Sequence, residues 1–508
     1  MNNISPIDRL PLQPWDNTDL FSNNLPSKFR PQIGKILVTG ASGYVGGRLV
    51  PELLARGYKV RVMVRAVSPE YGALWPNAEI VAADALDMGR LRTAFEGIDT
   101  AYYLIHSLRL GPREFESADL QAAGNFRRAA EEAGIKRIIY LGGLGDVRSS
   151  LSSHLRSRAE VANELRRGKI PVTILRAAII VGSGSASYEI IQHLARGLFI
   201  FLVPPWAKNR CQPIAIRDVI KYLVGTLETE ETTGQSFDIG GRDILTYELM
   251  LKTLGELLQK KQIFIAVPFS NIRFYAYITS LITPVPASIT ECLMEGLKNE
   301  VVCQDESIKN LIPFQPLSYK EATLRAMSRE EQDRVHTRWS DAYPPAHTLA
   351  LKLNELKGGP AYTAYCSLIT EKGAPSLFKS ICKIGGKEGW FYSNWLWRLR
   401  GMIDRILLGV GSVRGRKSYS SLKISDVIDF WRIEDIQYNK KLLLRAEMKL
   451  PGKAWLEFNI AEEDGKRKLN LTAYYDTSNL FGKIYWYMCL PFHHFIFYNL
   501  IKEIEKRS

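Results

Sequence analysis

The sequence predicts two folded parts: an α/β domain with a doubly wound parallel sheet, then an α+β domain with an antiparallel sheet and a long terminal helix. From residue 35 to about residue 176, short apolar segments alternate with segments of helical periodicity, as in a parallel sheet covered by helices on both faces. Beyond residue 424 the hydrophobic period changes to two, which is typical of antiparallel strands. A length of 508 residues also exceeds what one hydrophobic core usually fills.

The first predicted strand, Ile36–Val38, ends in a glycine-rich turn. Gly40, Gly43 and Gly46 follow it at the spacing G-x-x-G-x-x-G, and a helix and a second strand at residues 58–65 come next. Glycines let the backbone approach a pyrophosphate closely, and the helix N-terminus offers N–H groups and a positive dipole end. This order predicts a Rossmann-type dinucleotide site. The alternative is a glycine turn between core elements.

The remaining elements of the first part alternate in the same way. Predicted strands cover residues 78–84, 100–105, 137–141 and 172–176, and predicted helices cover residues 88–95, 117–134 and 158–167. The segment between residues 183 and 330 should form the substrate side. Its apolar stretches at residues 197–203 and 263–269 predict a greasy pocket or a packed subdomain interface, with ordinary core packing as the alternative.

Several segments of this part follow the pattern of a known superfamily: Thr39–Gly46, Leu175–Gly182, Gln212–Asp218 and Leu311–Tyr319. With Asp84 they resemble the atypical, extended short-chain dehydrogenase/reductase superfamily, in particular its NmrA-like and epimerase-like members. The resemblance covers about residues 34–330 and implies an NAD(P)-binding domain with a substrate subdomain over residues 34–335. The cofactor-binding residues that it implies are Gly40, Ser42, Gly43, Tyr44, Val45 and Gly46 in the loop, with Asp84 and Ala85 beside the adenine. His106 and Ser107 come just past the fourth predicted strand, at the carboxyl edge of the sheet, and are therefore predicted near the nicotinamide as second-choice polar groups.

The chain departs from that superfamily at its catalytic positions. The resemblance implies a Tyr-x-x-x-Lys pair and an upstream Ser, but His154 stands for the Tyr, Arg158 for the Lys, and Gly142 and Gly143 where the Ser belongs. His154 is a candidate proton carrier because the ordinary pKa of histidine lies near neutrality, and Arg158 would favour its neutral form. The alternative is an ordinary histidine at the start of a helix.

Arg65 closes the second predicted strand, at the position that usually selects the cofactor. An acid there binds the ribose 2′-OH and repels a 2′-phosphate, whereas an arginine offers the phosphate a planar, charged fork. The sequence therefore predicts NADP(H), with NAD(H) as the alternative cofactor. Arg65 would otherwise be a solvent-facing cation.

The second domain is predicted at residues 345–508, and the first 33 residues are predicted to be an extended arm or a disordered leader. Residues 389–400 and 402–408 predict an aromatic amphipathic helix, and residues 480–507 a long helix interrupted or kinked near Pro491. Strands are predicted at residues 424–433, 441–450, 454–460 and 468–476. A meander with a long terminal helix resembles the START-like helix-grip fold, which implies an apolar cavity. The whole chain resembles bacterial proteins that join a reductase-like domain to an uncharacterised C-terminal domain.

The basic excess of the chain is concentrated in this second domain. Residues 351–508 carry 26 Lys and Arg against 16 Asp and Glu, and a basic run extends from Arg398 to Lys423. Such a run would favour an anionic partner or membrane surface, but a solvated basic face is the more common explanation of such a run. Polar groups within residues 480–501 disfavour a membrane span. We expect a soluble protein that buries this helix against its sheet, binds an apolar ligand and makes at most peripheral membrane contact.

Two hypotheses for function follow from these features. The first is an NADP-dependent oxidoreductase that acts on a hydrophobic carbonyl or alkene. The second is a non-catalytic NADP(H)-binding sensor or assembly protein with a C-terminal domain that binds lipid or another apolar ligand. The six cysteines form no disulfide framework and no secretory segment precedes the fold, which predicts a cytoplasmic protein. No metal-ligand spacing and no nucleic-acid-binding module is recognised, and the sequence indicates no oligomeric state.

Overall fold

The computed structural model describes residues 20–65, 69–106, 115–145, 152–328 and 352–508, the last range without residues 357, 387, 408, 412–421, 423, 425 and 464–465. Two compact units emerge: the described residues up to 328 without 280–286, and residues 280–286 with the described residues from 352 onward. Three sequence-based predictions fall outside the described residues: the arm up to residue 19, Ser107, and the boundary at residues 335–345. Most of the basic run after residue 411 does so as well.

The first unit is built on a seven-stranded sheet in the order β11-β6-β5-β4-β1-β2-β3, with every pair parallel. Strand β1 pairs with both β2 and β4, so the connections reverse direction between β1 and β4, as in doubly wound dinucleotide-binding folds. The strands of this unit are β1 Lys35–Val38, β2 Lys59–Val64, β3 Glu79–Ala82, β4 Thr100–Tyr103, β5 Arg137–Gly143, β6 Val172–Ala177, β7 Ile180–Val181, β8 Ile200–Val203, β9 Arg210–Cys211, β10 Ile214–Ala215, β11 Ser236–Ile239, β12 Leu245–Thr246 and β13 Ile263–Ala266.

Helices cover both faces of this sheet. Ile36 and Val38 pack with Leu49 of α1, whereas Leu37, between them, packs on the opposite face with Phe126 of α4. The predicted class is therefore confirmed. The strands are apolar on both faces because both faces are buried under helices. The helices are α1 Gly46–Ala55, α2 Pro69–Leu74, α3 Met88–Phe95, α4 Phe115–Ala133, α5 Ser153–Arg166, α6 Ala186–Gly197, α7 Ile216–Glu228, α8 Tyr247–Leu257, α9 Ile272–Ile282, α10 Ala287–Glu295, α11 Ile308–Leu311 and α12 Tyr319–Met327.

Part of the predicted N-terminal arm packs onto this unit. The backbone N–H and the hydroxyl of Ser22 both donate to Oε2 of Glu52 in α1, at 3.0 and 2.5 Å. Leu25 joins the core on the α1 side of the sheet. Residues 20–33 thus belong to the fold, because a buried hydrogen-bonded serine and an apolar anchor fix their position.

Two apolar segments on the predicted substrate side form a small parallel sheet, β8 with β13. Phe201 and Val203 are buried against Trp206 and Leu251. The side chains that alternate with them face solvent and are about half exposed: Ile200, Leu202, Ile263 and Ile265. Only one face of these strands is packed, and its contacts are those of a small local core, which was the alternative to a pocket or interface.

The second unit contains a six-stranded antiparallel sheet in the order β14-β19-β18-β17-β16-β15. The strands are β14 Tyr362–Thr370, β15 Val427–Ile428, β16 Trp431–Gln437, β17 Lys441–Ala446, β18 Lys453–Glu463 and β19 Lys466–Asp476, and the helices are α13 Ala374–Ile381, α14 Asn394–Ile406 and α15 Leu480–Lys506. The meander and the terminal helix match the predicted α+β class. Strand β14 and helix α13 were not predicted.

Helix α15 runs from Leu480 to Lys506 with Pro491 inside it, so the predicted interruption does not occur. Its last third buries one face, since Phe497 and Leu500 join Phe458 and Leu471 in the core of the unit. Its first two-thirds expose one apolar face, so the prediction that the sheet buries the whole helix was wrong for that part. Within the described residues, no helix has both the length and the apolar character needed to cross a bilayer.

Candidate functional site

The glycine loop lies where β1 and β4 end side by side. The hydroxyl of Thr39 donates to the carbonyl of Tyr102 at 2.9 Å and accepts from the N–H of Leu104 at 3.3 Å, which ties the two strand ends together. Gly40 has a φ of 64°, and a Cβ atom there would lie 2.4 Å from the carbonyl oxygen of Leu104. Only glycine allows this backbone conformation and this close approach.

Gly46 starts α1 and is equally constrained. A Cβ atom on it would lie 2.4 Å from the carbonyl oxygen of Gly40 and 2.7 Å from the Cα of Ala41. The loop closes on itself because the N–H of Gly43 donates to Gly40 at 2.9 Å. Ser42 and Gly43 are half-buried at the loop surface. The result is a bare backbone cradle directly before the N-terminus of a helix, which suits a phosphate group.

Tyr44 and Val45 complete the loop. Arg48 of α1 lies over the Tyr44 ring, with its Cζ atom 4.1 Å from the centroid, and donates to the carbonyls of Tyr44 and Ser183 at 2.8 Å each. The Tyr44 hydroxyl comes within 2.4 Å of the place where a Cβ of Gly182 would stand. These contacts hold the loop against the segment that follows β7. Val45 is the N-cap residue of α1.

The predicted adenine-side residues lie at the ends of β2 and β3. Arg65 is exposed directly after β2, and the carboxylate of Asp84 attracts its guanidinium electrostatically. Asp84 accepts from the N–H of Leu86 at 2.9 Å, and the carbonyl of the buried Ala85 accepts from Asn125 of α4 at 3.0 Å. The structure thus brings Arg65 and Asp84 together, with opposite charges, along the same sheet edge as the glycine loop.

Two histidines meet at the end of β4. His106 lies two residues beyond Leu104, and its ring centroid is 5.1 Å from that of His154, which is in the first turn of α5. Nδ1 of His106 lies 3.1 Å from Oδ2 of Asp119, a residue of α4 that is only 2% exposed. If Nδ1 of the neutral His106 ring is protonated and donates a hydrogen bond to Asp119, then Nε2 carries no proton and can accept a hydrogen bond. Among the described residues, neither Nε2 of His106 nor Nδ1 of His154 has a hydrogen-bond partner, although both are buried.

Helix α5 positions Arg158 one turn after His154. The predicted start of this helix at Arg158 was wrong, because Ser152 caps it earlier by accepting from the N–H of Leu155 at 3.3 Å. The hydroxyl of Tyr140 donates to the carbonyl of Arg158 at 3.2 Å and lies 3.5 Å from one guanidinium nitrogen. Gly143, where the superfamily serine would stand, packs against Leu155 and Arg158, so it leaves room for the helix.

Burial sets the protonation states of this cluster. The pKa of His106 is lowered to about 4, mainly by burial and in addition by the charge of Arg158. The hydrogen bond and the charge of Asp119 oppose this shift. Burial also lowers the pKa of His154 well below its ordinary value, and the charges of His106 and Arg158 act in the same direction. Both imidazoles are therefore neutral near pH 7. They take up a proton readily only when a negative charge develops beside them.

Sequence reasoning missed Asp119 and Tyr140. Asp119 lies on the buried side of α4, and an acid at such a position, within a run of alanine and apolar residues, was the available signal. Tyr140 is completely buried, and burial raises the pKa of its hydroxyl, which Arg158 partly opposes. Tyr140 therefore supports Arg158 rather than replacing the absent catalytic tyrosine.

These residues fit a nicotinamide dinucleotide. Any side chain at Gly40 or Gly46 would fill the cradle, and at the neighbouring strand end lie two buried ring nitrogens that have no hydrogen-bond partner among the residues that the structure describes. Arg65 offers a charged fork at the end of β2, and the imidazole pair offers polar atoms at the end of β4. The fold and this site together define a dinucleotide-binding protein of the Rossmann class.

Comparison with known proteins gives the family. Residues 32–302, more than half of the chain, match the model of the NmrA-like family, so the chain belongs to this family of NAD(P)-binding, reductase- and epimerase-like proteins. Residues 358–500 match a second model, described as a protein of unknown function (DUF2867). The predicted superfamily is thereby confirmed for the first unit, and the second unit matches a family without an assigned function.

Individual relatives match parts of the first unit. The chain is 33% identical over 121 residues to 3-beta-hydroxysteroid dehydrogenase of Mycolicibacterium neoaurum, covering 22% of this chain and 32% of that protein. It is 26% identical over 254 residues to the chloroplastic divinyl chlorophyllide a 8-vinyl-reductase of Oryza sativa subsp. indica, covering 47% and 62%. The chain spans 31–35% of the length of the first three relatives. The triphenylmethane reductase of Citrobacter sp., solved in complex with NADP(H), is 21% identical, with a TM-score of 0.48 over 57% of this chain and 99% of that chain.

The cradle makes a direct prediction for Gly46→Ala. The added methyl group would collide with the backbone of Gly40 and Ala41, so the loop must open. We expect at least tenfold weaker dinucleotide binding and a lower melting temperature, measured by NADPH fluorescence titration and thermal unfolding. Gly72→Ala in α2 is the matched control, because its Cβ would meet no atom within 4 Å. Unchanged affinity in Gly46→Ala would show that the loop does not bind the dinucleotide.

Proposed function

We propose that the protein is an NADP(H)-dependent oxidoreductase that reduces a carbonyl or alkene group of a hydrophobic small molecule. The observation that carries this proposal is the placement of the neutral His106–His154 pair at the end of β4, next to the glycine cradle at the end of β1. Relatives named as a steroid dehydrogenase and a chlorophyllide vinyl-reductase support a hydrophobic substrate.

A bound NADP(H) supplies the hydride in such a reaction. The chain supplies the remaining parts. A neutral imidazole can donate its N–H hydrogen bond to a carbonyl oxygen. That oxygen takes the proton as negative charge develops on it, and the other ring nitrogen takes a proton from solvent, so the imidazole ends neutral. We assign this contact to His154, with Arg158 stabilising the developing charge. Asp119 acts as a positioning residue, since its carboxylate fixes the tautomer and orientation of His106.

The experiment is a screen of purified full-length protein for substrate-dependent NADPH oxidation, against quinones and against aliphatic and aromatic carbonyls. Oxidation that follows the added substrate, with product formed in equal amount, is the expected result. Absence of oxidation across the panel, together with tight NADPH binding, would contradict the catalytic proposal.

A non-catalytic NADP(H) sensor is the second candidate function. The observation in its favour is that Gly142 and Gly143 replace the serine, and that the tyrosine-lysine pair is absent from α5. In that case bound NADPH would remain reduced indefinitely, and it would change the exposure or the proteolysis of a surface segment. Retained NADPH with such a change supports the sensor.

Cofactor choice is tested at Arg65. We expect the wild-type protein to bind NADPH more tightly than NADH, and Arg65→Ala to weaken NADPH binding about tenfold, because a charged hydrogen bond to the 2′-phosphate contributes about 1.5 kcal/mol or more. Affinity for NADH should change little. Arg210→Ala, which removes another exposed arginine, paired with Glu300, is the control. Equal wild-type affinities for NADPH and NADH would refute the preference for NADP(H).

A further inference from the structure

Helix α14 is amphipathic, but its apolar face is exposed to solvent and its opposite face is buried. Its exposed side chains recur at helical spacing, and all are apolar or aromatic apart from Arg398: Trp395, Leu399, Met402, Ile403 and Ile406. Trp395 is 65% exposed, whereas Asp404 on the opposite face is completely buried. Asp404 accepts from the N–H groups of Gly411 and Lys449, each at 2.7 Å. These buried hydrogen bonds fix the rotation of the helix, so the apolar stripe faces outward.

Helix α15 continues this apolar face. In its first two-thirds a second stripe is at least half exposed: Phe481, Ile484, Met488, Phe492 and Phe495. Trp486, on the other side of the helix, is buried. The opposite orientation would hide the stripe, but Trp486 stacks on Tyr475 of β19 with ring centroids 5.6 Å apart. The helix is thus held with Phe481, Phe492 and Phe495 exposed to solvent.

The two helices contact each other at two places. Nε of Arg400 in α14 lies 3.4 Å from the hydroxyl of Tyr485 in α15. Tyr392, just before α14, packs edge-on against Phe495 at 5.6 Å. We call the ten exposed side chains of the two stripes the apolar surface. Exposed apolar patches of this extent mark interaction sites, because isolated surface hydrophobes do not line up along two adjacent helices.

The charges around the apolar surface identify its partner. Residues 480–500 contain no acid, and the single acid of α14, Asp404, is buried. The exposed formal charges on these two segments are those of Arg398 and Lys483, both cations. Two copies of such a surface would bring like charges together, whereas anionic phospholipid headgroups complement them. Aromatic side chains with flanking cations are also the composition of helices that lie in the membrane interface.

We propose that the second unit docks on the surface of an anionic phospholipid bilayer through the apolar surface, with α14 and α15 in the headgroup region. The proposal needs no spanning helix. It is independent of the proposed reductase activity, since none of its residues belongs to the dinucleotide site.

The test is co-sedimentation of the full-length protein with two kinds of vesicle, phosphatidylcholine alone and phosphatidylcholine mixed with phosphatidylglycerol. We expect binding to the mixed vesicles, weakened by high salt because the headgroup attraction is screened. The double variant Phe481→Ser/Met488→Ser should bind them at least tenfold more weakly. Tyr438→Ser is the matched control: Tyr438 is 72% exposed but lies in the turn between β16 and β17. Replacing both Arg398 and Lys483 by Gln should lower binding to the mixed vesicles and reduce its salt dependence.

Circular dichroism and NADPH binding report whether each variant is folded. Absence of vesicle binding by the wild-type protein, or equal binding by the folded double variant, would overturn the proposal. A wild-type dimer in solution that the double variant converts to a monomer would likewise overturn it, because a second copy would then cover the surface. Equal binding to both kinds of vesicle would contradict the proposed preference for an anionic phospholipid bilayer.

Discussion

Replacing His154 by phenylalanine should reduce the rate of NADPH-dependent reduction on the order of a hundredfold or more, with little change in NADPH affinity. Phenylalanine keeps an aromatic ring beside His106 but offers no N–H to a substrate oxygen. The loss should appear in kcat, since the hydrogen bond strengthens only as charge develops on the substrate. The measurement is steady-state kinetics with the best substrate of the carbonyl panel.

The matched control for this variant is His494→Phe, which removes an exposed histidine of the second unit. The dependence of kcat/KM on pH provides a second readout, and its acidic limb should lie below the ordinary histidine value of about 6.5 because burial lowers both histidine pKa values. An unchanged rate in folded His154→Phe would assign the proton to His106 or to another group.

The buried imidazole of His106 should make the protein less stable in acid. Its folded pKa of about 4 lies below the unfolded value, so the unfolded chain binds more protons as the pH falls from about 6.5. The contribution of His106 to the free energy of unfolding is unaffected by pH above about pH 6.5. Between about pH 6.5 and pH 4 the free energy of unfolding falls by about 3 kcal/mol because of this residue, and below pH 4 the decrease levels off. His154 adds a loss of the same sign.

The difference between wild type and His106→Gln isolates this effect from the titration of other groups. We expect urea unfolding to show a smaller loss of stability between pH 7 and pH 4 in His106→Gln than in wild type. His494→Gln should follow the wild-type curve. Parallel curves for wild type and His106→Gln would mean that His106 is not buried in its neutral form.

The glycine loop shows what local sequence can predict. Gly40 and Gly46 are required by backbone geometry within one short segment, so their spacing, together with the strands and the helix around them, predicted the turn and the sheet edge. The strands β17 to β19 were also predicted, and each pairs with a strand that is adjacent to it in the chain.

The histidine cluster could not be predicted from local sequence patterns. His106 and His154 come together only because β4 and α5 converge at one edge of the sheet, and Asp119 reaches His106 from α4. Nothing near His154 in sequence indicates these partners. Strand β14 was missed for a related reason, since it pairs with β19 from the distant end of the unit and its apolar residues do not alternate regularly.

The orientation of α14 also could not be read from its pattern. The amphipathic helix was predicted, but a sequence stripe does not state which side faces the protein. Buried hydrogen bonds from Gly411 and Lys449 to Asp404 decide the matter, and they depend on tertiary contacts.

The most direct test of the central claim is to follow NADPH bound to the full-length protein while a hydrophobic carbonyl substrate is added, in wild type and in Gly46→Ala. The account predicts that wild type binds NADPH, oxidises it in proportion to the substrate and transfers its hydride to the product, and that Gly46→Ala loses both binding and turnover. NADPH that binds to wild type yet is never consumed by any substrate, or turnover that survives in Gly46→Ala with unchanged affinity, would contradict it.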